Sequence, residues 1–120
     1  MKNLTTKEAV LMDILWKHPE GLTMRELYSL LPEPRTHFNT VSTFVRRLEE
    51  EKYVVHEAIG GRLFRYKPAF SRKEFEQIEQ KSFIGRFFSG SNFNFVRHLV
   101  QEEQISKEEL EELLDMINNS

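Results

Sequence analysis

Four places in this chain carry the same helix-start signature: an apolar residue, a hydroxyl residue, and Glu three positions later. They are Leu4-Thr5…Glu8, Leu22-Thr23…Glu26, Phe70-Ser71…Glu74 and Ile105-Ser106…Glu109. In this arrangement the hydroxyl accepts from a free amide of the first turn, and the Glu carboxylate accepts from the amide of the capping residue. In the last three the residue after Glu is Leu27, Phe75 or Leu110, which closes an apolar contact back to the residue before the cap. Helix starts spaced this way through 120 residues make the fold mainly α.

The first helix is expected from about Thr6 to Lys17. It is apolar on most sides (Val10, Leu11, Ile14, Leu15, Trp16), and Pro19 and Gly21 end it. The second is expected over Thr23–Leu31 with Leu27, Leu30 and Leu31 inward, until Pro32 and Pro34 stop it. Glu33-Pro34-Arg35 turns into a third helix over 37–51. Helix, short helix, turn and longer helix make a helix-turn-helix. Two strand-like stretches follow, 53–58 and an alternating 62–67, on either side of Gly60-Gly61, whose positive φ angles suit a tight hairpin turn. A two-stranded hairpin is marginal alone and must pack on the helices. The sum is a winged helix-turn-helix domain, three helices plus a β-hairpin wing, over residues 1–70.

The third helix has two unlike faces. Val41, Phe44, Val45 and Leu48 fall at the i, i+3, i+4, i+7 spacing of a core-facing stripe. The other side carries Asn39, Ser42, Thr43 and Arg46, with Thr40 and Arg47 beside them. A merely solvated face would use Glu and Lys, which are better helix formers than Asn, Ser or Thr. Short polar groups allow close approach to a surface, and they match nucleic-acid chemistry: hydroxyls for phosphate or base edges, Asn for adenine, Arg for guanine or phosphate. Asn39, Ser42, Thr43 and Arg46 are therefore candidates for base-edge contacts in double-stranded DNA, and His37, Thr40 and Arg47 for phosphate. On the wing, Arg62, Arg65 and Lys67 can reach a neighbouring backbone, or can serve as a charged edge that discourages strand pairing. Thr36 and Tyr28 can touch the backbone across the groove, and Tyr28 is equally suited to packing.

The net charge of −2 does not suit a nucleic-acid binder, but its distribution is uneven. Residues 1–70 hold eleven Lys and Arg against nine Asp and Glu, and residues 71–120 hold six against ten. A basic working half and an acidic second half fit a nucleic-acid reader better than the sum does. No apolar run is long enough to span a bilayer, and a cytoplasmic location is expected. With no Cys, thiolate metal sites and disulfides are excluded. His18, His37, His56 and His98 lie on different elements without ligand spacing, so no metal or other cofactor is expected. No nucleophile–base arrangement or phosphate-cradling Gly loop is present, which argues against an enzyme.

Residues 71–120 read as three more helices, about 71–88, 93–103 and 106–118. They carry more large apolar side chains than fifty residues can enclose. Phe83, Phe87, Phe88, Phe95, Val96, Leu99, Leu110, Leu113, Leu114 and Ile117 are the candidates for an interface with a second copy, making this a helical dimerisation region.

Several separated blocks resemble the penicillinase-repressor family, which includes the beta-lactamase and methicillin-resistance repressors and the copper-responsive CopY-type repressors. The blocks are Leu4-Thr5 and Glu8 leading into residues 10–16, the stretch 39–48, Arg65-Tyr66-Lys67-Pro68, Ser82-Phe83, and Ile105-Ser106 with residues 108–113. The resemblance covers essentially the whole chain. It implies a homodimeric repressor of a dyad operator, inactivated in some members by a protease or sensor partner. Two departures stand out. The antibiotic-responsive members are cut at an Asn-Phe bond, and the register places His98-Leu99 there, with Asn92-Phe93 and Asn94-Phe95 upstream. The copper-type Cys-rich site has no counterpart. The rival reading is a winged-helix protein–protein adaptor, which would present large apolar anchors on the third helix where this chain has Asn, Ser, Thr and Arg.

Overall fold

The structure is a computed structural model that describes residues 4–120. Its elements run α1 (Thr6–Lys17), α2 (Met24–Ser29), α3 (Phe38–Glu50), β1 (Val54–Gly60), β2 (Leu63–Pro68), α4 (Arg72–Phe87), α5 (Asn92–Gln101) and α6 (Lys107–Asn118). All four signature caps form. The Glu8, Glu26, Glu74 and Glu109 carboxylates accept from the amides of Thr5, Thr23, Ser71 and Ser106 at 2.8–3.0 Å. Each capping hydroxyl in turn accepts from the Glu amide at 3.0–3.2 Å. These amide bonds hold the Glu26, Glu74 and Glu109 carboxyls below the usual carboxylate range, since they favour the charged form.

The chain divides into two compact units between Phe75 and Glu76, inside α4. The core of the first unit joins Leu11, Met12 and Leu15 of α1, Leu27 of α2, Val41, Val45 and Leu48 of α3, and Leu22, Tyr53 and Val54. The i, i+3, i+4, i+7 stripe of α3 thus faces inward, with Phe44 half-buried at its margin. The α4 end of this unit is tied in by aromatic contacts. Phe75 lies 5.1 Å from the Trp16 ring and 5.9 Å from Tyr53, and the Trp16 indole N–H donates to the Phe70 carbonyl at 3.0 Å. Phe75 belongs to the first unit for that reason.

Two expectations about local geometry need correction. Helix α2 ends at Ser29, and Leu30, expected inward, is 47% exposed. The amides of Leu30 and Leu31 bond three residues back, to Leu27 and Tyr28, so the last turn tightens and swings Leu30 off the inner face. The hairpin turn is also shifted. Strand β1 extends to Gly60, which pairs with Leu63, so the loop is Gly61-Arg62 and Arg62 stands at the tip. The extra residue is absorbed by an irregularity between Ala58 and Gly60. Gly60 and Gly61 do take positive φ, 124° and 56°.

The wing is seated by a third, one-residue strand. Leu22 and Tyr66 exchange both backbone bonds, at 2.9 and 2.7 Å, which anchors β2 to the chain just before α2. Helix α3 closes with Lys52 in the left-handed region (φ 73°). The Tyr53 amide bonds back to the Leu48 carbonyl and the Lys52 amide to Glu49. This turn delivers the fully buried Tyr53 into the core and starts β1 beside the end of α3.

In the second unit, described by itself, Ile84 is buried and the Phe83, Phe88 and Phe95 rings pack on one another at centroid distances of 5.0–5.8 Å. Ser91 caps α5 by accepting from the Asn94 amide. Helix α6 buries no residue.

Candidate nucleic-acid interface

On α3, Asn39, Thr40, Thr43, Arg46 and Arg47 are all exposed, and His37 is exposed at the N-cap. Ser42 lies half-buried at the edge of this face rather than on it. Neither Arg46 nor Arg47 pairs with a carboxylate among the described residues. Glu50 is exposed in the last turn, while Glu49 turns away and bonds the His56 ring of β1. The face is therefore uncharged, then cationic, and becomes acidic only at its C-terminal end. Thr43 donates its hydroxyl hydrogen to the Asn39 carbonyl at 3.0 Å, so that hydroxyl presents lone pairs outward and acts as an acceptor.

The start of α3 differs from the other described helix starts with an N-cap. His37 makes no side-chain cap bond, whereas Thr5, Thr23, Ser91 and Ser106 each do. The first amides of α3, at the positive end of the helix dipole, thus receive no side-chain cap. Around this end stands a ladder of rings and cations. Tyr28 meets Phe38 edge-on at 5.3 Å, the Arg25 guanidinium lies over Phe38 at 5.7 Å, and the Arg35 guanidinium lies over Tyr28 at 5.7 Å. Tyr28 and Thr36 are half-buried. Arg25 was not visible as a site residue from the sequence. It sits on α2 with Phe38 thirteen positions on, and no local periodicity joins the two.

The three wing cations are not equivalent. Arg62 is exposed at the tip and has no carboxylate partner among the described residues. Lys67 donates to the Glu57 carboxylate at 2.9 Å, and Arg65 lies 4.0 Å from it. The Lys67 bond and charge hold the Glu57 carboxyl below its usual range. Both stems lie over Gly21, so two of the three cations are built into the wing's seat and partly neutralised there.

The apolar surface of the second unit is uneven. Phe87, Leu113, Leu114 and Ile117 are 47–70% exposed and Phe83 and Val96 about 40%, while Phe88, Phe95, Leu99 and Leu110 are half-buried. Phe93 at 72% and Met116 at 65% join this surface, though neither is among the interface residues expected from the sequence. Among the described residues no group of His, Asp or Glu is arranged to hold a metal ion, and no helix is long and apolar enough to cross a membrane.

Comparison with known proteins agrees with this architecture. The penicillinase repressor of Bacillus licheniformis is 25% identical over 114 residues, spanning 95% of this chain and 88% of that protein. The methicillin resistance regulatory protein MecI of Staphylococcus aureus is 20% identical over 115 residues, 96% and 93% of the two chains. Among solved structures, the transcription regulator MepR of S. aureus matches with a TM-score of 0.51 at 19% identity, over 98% of this chain and 77% of that one. A MepR–DNA complex matches at 0.50 and 20% identity, over 97% and 76%. At that identity the likeness speaks for the winged-helix fold. The model of the penicillinase repressor family matches residues 4–119. This chain belongs to the penicillinase repressor family, and so to a family of regulators rather than enzymes.

Proposed function

We propose that the chain is a homodimeric repressor that binds a dyad operator in double-stranded DNA. The unit that ends at Phe75 is the reading head and the unit Glu76–Ser120 the dimer arm. The observation that carries this reading is the outer face of α3: exposed Asn39, Thr43 and Arg46 with Thr40 and Arg47 beside them, and no competing ion pair on either Arg. Such a face enters the major groove with its short side chains against base edges. The uncapped amides at the start of α3, with Arg25 nearby, suit a phosphate on one side of the groove, and Arg62 at the wing tip suits one on the other. An adaptor would need large apolar anchors on this face, and it has none.

A second copy is the simplest cover for Phe87, Phe93, Leu114 and Ile117. Two reading heads then address half-sites about one helical turn apart, or a multiple of it. The family's cut at an Asn-Phe bond corresponds here to His98-Leu99, within α5. Release by a sensor or partner that does not use that cut fits this sequence better, and a cytoplasmic site of action follows from the DNA target. Light scattering on the eluting protein tests the dimer, and anisotropy titrations of labelled duplex test the coupling to DNA. The wild type should elute as a dimer, and Leu113→Asp should yield monomers with weakened DNA affinity. A folded Leu113→Asp protein that stays dimeric would put the interface elsewhere. A wild-type monomer with full affinity would contradict the dyad model.

A further inference from the structure

Between α1, the α2–α3 turn and the inner flank of α3 lies a hollow of about 160 Å³ whose apolar walls take no part in the DNA reading. Its walls are apolar: Val10 and Leu11 from α1, Leu31 and Pro34 from the turn, Val41 and Phe44 from α3. The polar residues that line it are Lys7, Arg35 and Thr36, and no carboxylate does so among the described residues. Arg35 is already engaged. Its guanidinium donates to the Leu31 and Ser29 carbonyls at 3.2 and 3.3 Å and lies 3.4 Å from Glu33. Lys7 is exposed and makes no ion pair among the described residues.

Size and charge together restrict the occupant. A hollow of this volume is too small for a helix or a strand of a partner protein. An apolar cavity of about 150 Å³ does take up a single benzene-sized ring. Apolar walls with a few placed polar groups at the edge are the usual make-up of a small-molecule site, and here the polar edge is cationic. We infer that this hollow binds a small organic carboxylate, one ring or short branched chain in size. Its body lies against Val10, Leu31 and Phe44, and its anionic group lies on the Lys7 ammonium. Val41 and Phe44 belong to α3, so the occupant would share the seat of that helix. Binding at this hollow does not depend on the DNA reading, and it is measured on the free protein.

The test uses cyclohexanecarboxylate, cyclohexanecarboxamide and cyclohexylmethylamine, which share a ring and differ in charge. Each is titrated into the full chain at constant ionic strength and followed by the methyl resonances of Val10, Leu11, Leu31 and Val41. The carboxylate should shift these methyls saturably, with a Kd of roughly millimolar order for so small a ligand. The amide should bind at least threefold more weakly and the ammonium more weakly still. Lys7→Gln should bring the carboxylate down to the affinity of the amide, and Lys7→Glu should transfer the preference to the ammonium. Both variants alter an exposed side chain and should fold normally, which the methyl spectrum reports directly. Shifts that do not saturate, that spread evenly over the surface, or that are equal for the three probes would overturn the inference. So would an unchanged preference in Lys7→Glu.

Discussion

Gly21 is the position where a single methyl group should do the most damage for its size. Its φ is +99°, and a Cβ there would lie 2.3 Å from Arg65 Cγ, 2.6 Å from Arg65 Cδ and 2.8 Å from Lys67 Cγ. Optimal carbon–carbon contact is at about 3.5–4.0 Å. The offending atoms are stem carbons near the roots of their side chains, so they cannot simply swing away. Holding an L-residue at this φ costs about 1–3 kcal/mol. Forcing two neighbouring side chains off their rotamers adds about 0.5–1.5 kcal/mol each. Gly21→Ala should therefore destabilise by about 2–6 kcal/mol, a fall in Tm on the order of 8–25 °C for a chain of this size. Gly61 provides the control. Its φ is also positive, +56°, but a Cβ there meets nothing within 4 Å, so Gly61→Ala should cost only about 1–2 kcal/mol. Thermal unfolding followed by circular dichroism compares the two. Equal shifts would mean that Arg65 and Lys67 do not press on Gly21 and that the wing is seated another way.

Arg46→Ala removes an exposed, unpaired cation, so stability should stay within about 0.5 kcal/mol of wild type. Specific DNA binding should weaken by about 1–3 kcal/mol, roughly 5- to 150-fold. A loss equal on unrelated sequences, with a shallower salt slope, would reassign Arg46 from base to phosphate. Acid should loosen the helix caps. The Glu26, Glu74 and Glu109 carboxyls are held below their ordinary value of 4.5, first by the amide and then by the hydroxyl of the capping residue. A depressed carboxyl contributes stability that is present above the unfolded value and lost as pH falls through the folded one. Side-chain carboxyl NMR should give midpoints below 4.5 for all three. Thr23→Ala should return Glu26 only part of the way, because the Thr23 amide is the larger cause. A Glu26 midpoint unmoved by that variant would remove the hydroxyl from the account.

What could be read from the sequence was local. The capping pairs are three residues apart, and the amphipathic stripe of α3 repeats within two turns. Four helix starts, the inward set Val41, Val45 and Leu48, and the exposure of Asn39, Thr43 and Arg46 followed from those spacings. What was missed depends on contacts between distant positions. The bond of Lys67 and Arg65 to Glu57 needs the register of the hairpin. That register is set by an irregularity at Ala58–Gly60, which Gly-Gly alone does not reveal. Leu30 looked like core by spacing, but the tightened last turn of α2 carries it outward. The close pass of the wing over Gly21 and the stacking of Arg25 on Phe38 join residues more than a dozen positions apart. In the second unit the Phe-rich sequence announced surplus apolar surface. It did not say that Phe83, Phe88 and Phe95 spend part of theirs on one another, leaving Phe93 and Met116 further out.

The outer face of α3, presented twice, is proposed to read a symmetric DNA sequence. The measurement that bears on it most directly is selection of fragmented genomic DNA by the purified protein at near-physiological salt, followed by sequencing of what is retained. Enrichment of an inverted repeat is expected, with half-sites about one helical turn apart or a multiple of it, and loss of that enrichment in Arg46→Ala. A protein that is folded and dimeric yet enriches no sequence would contradict it.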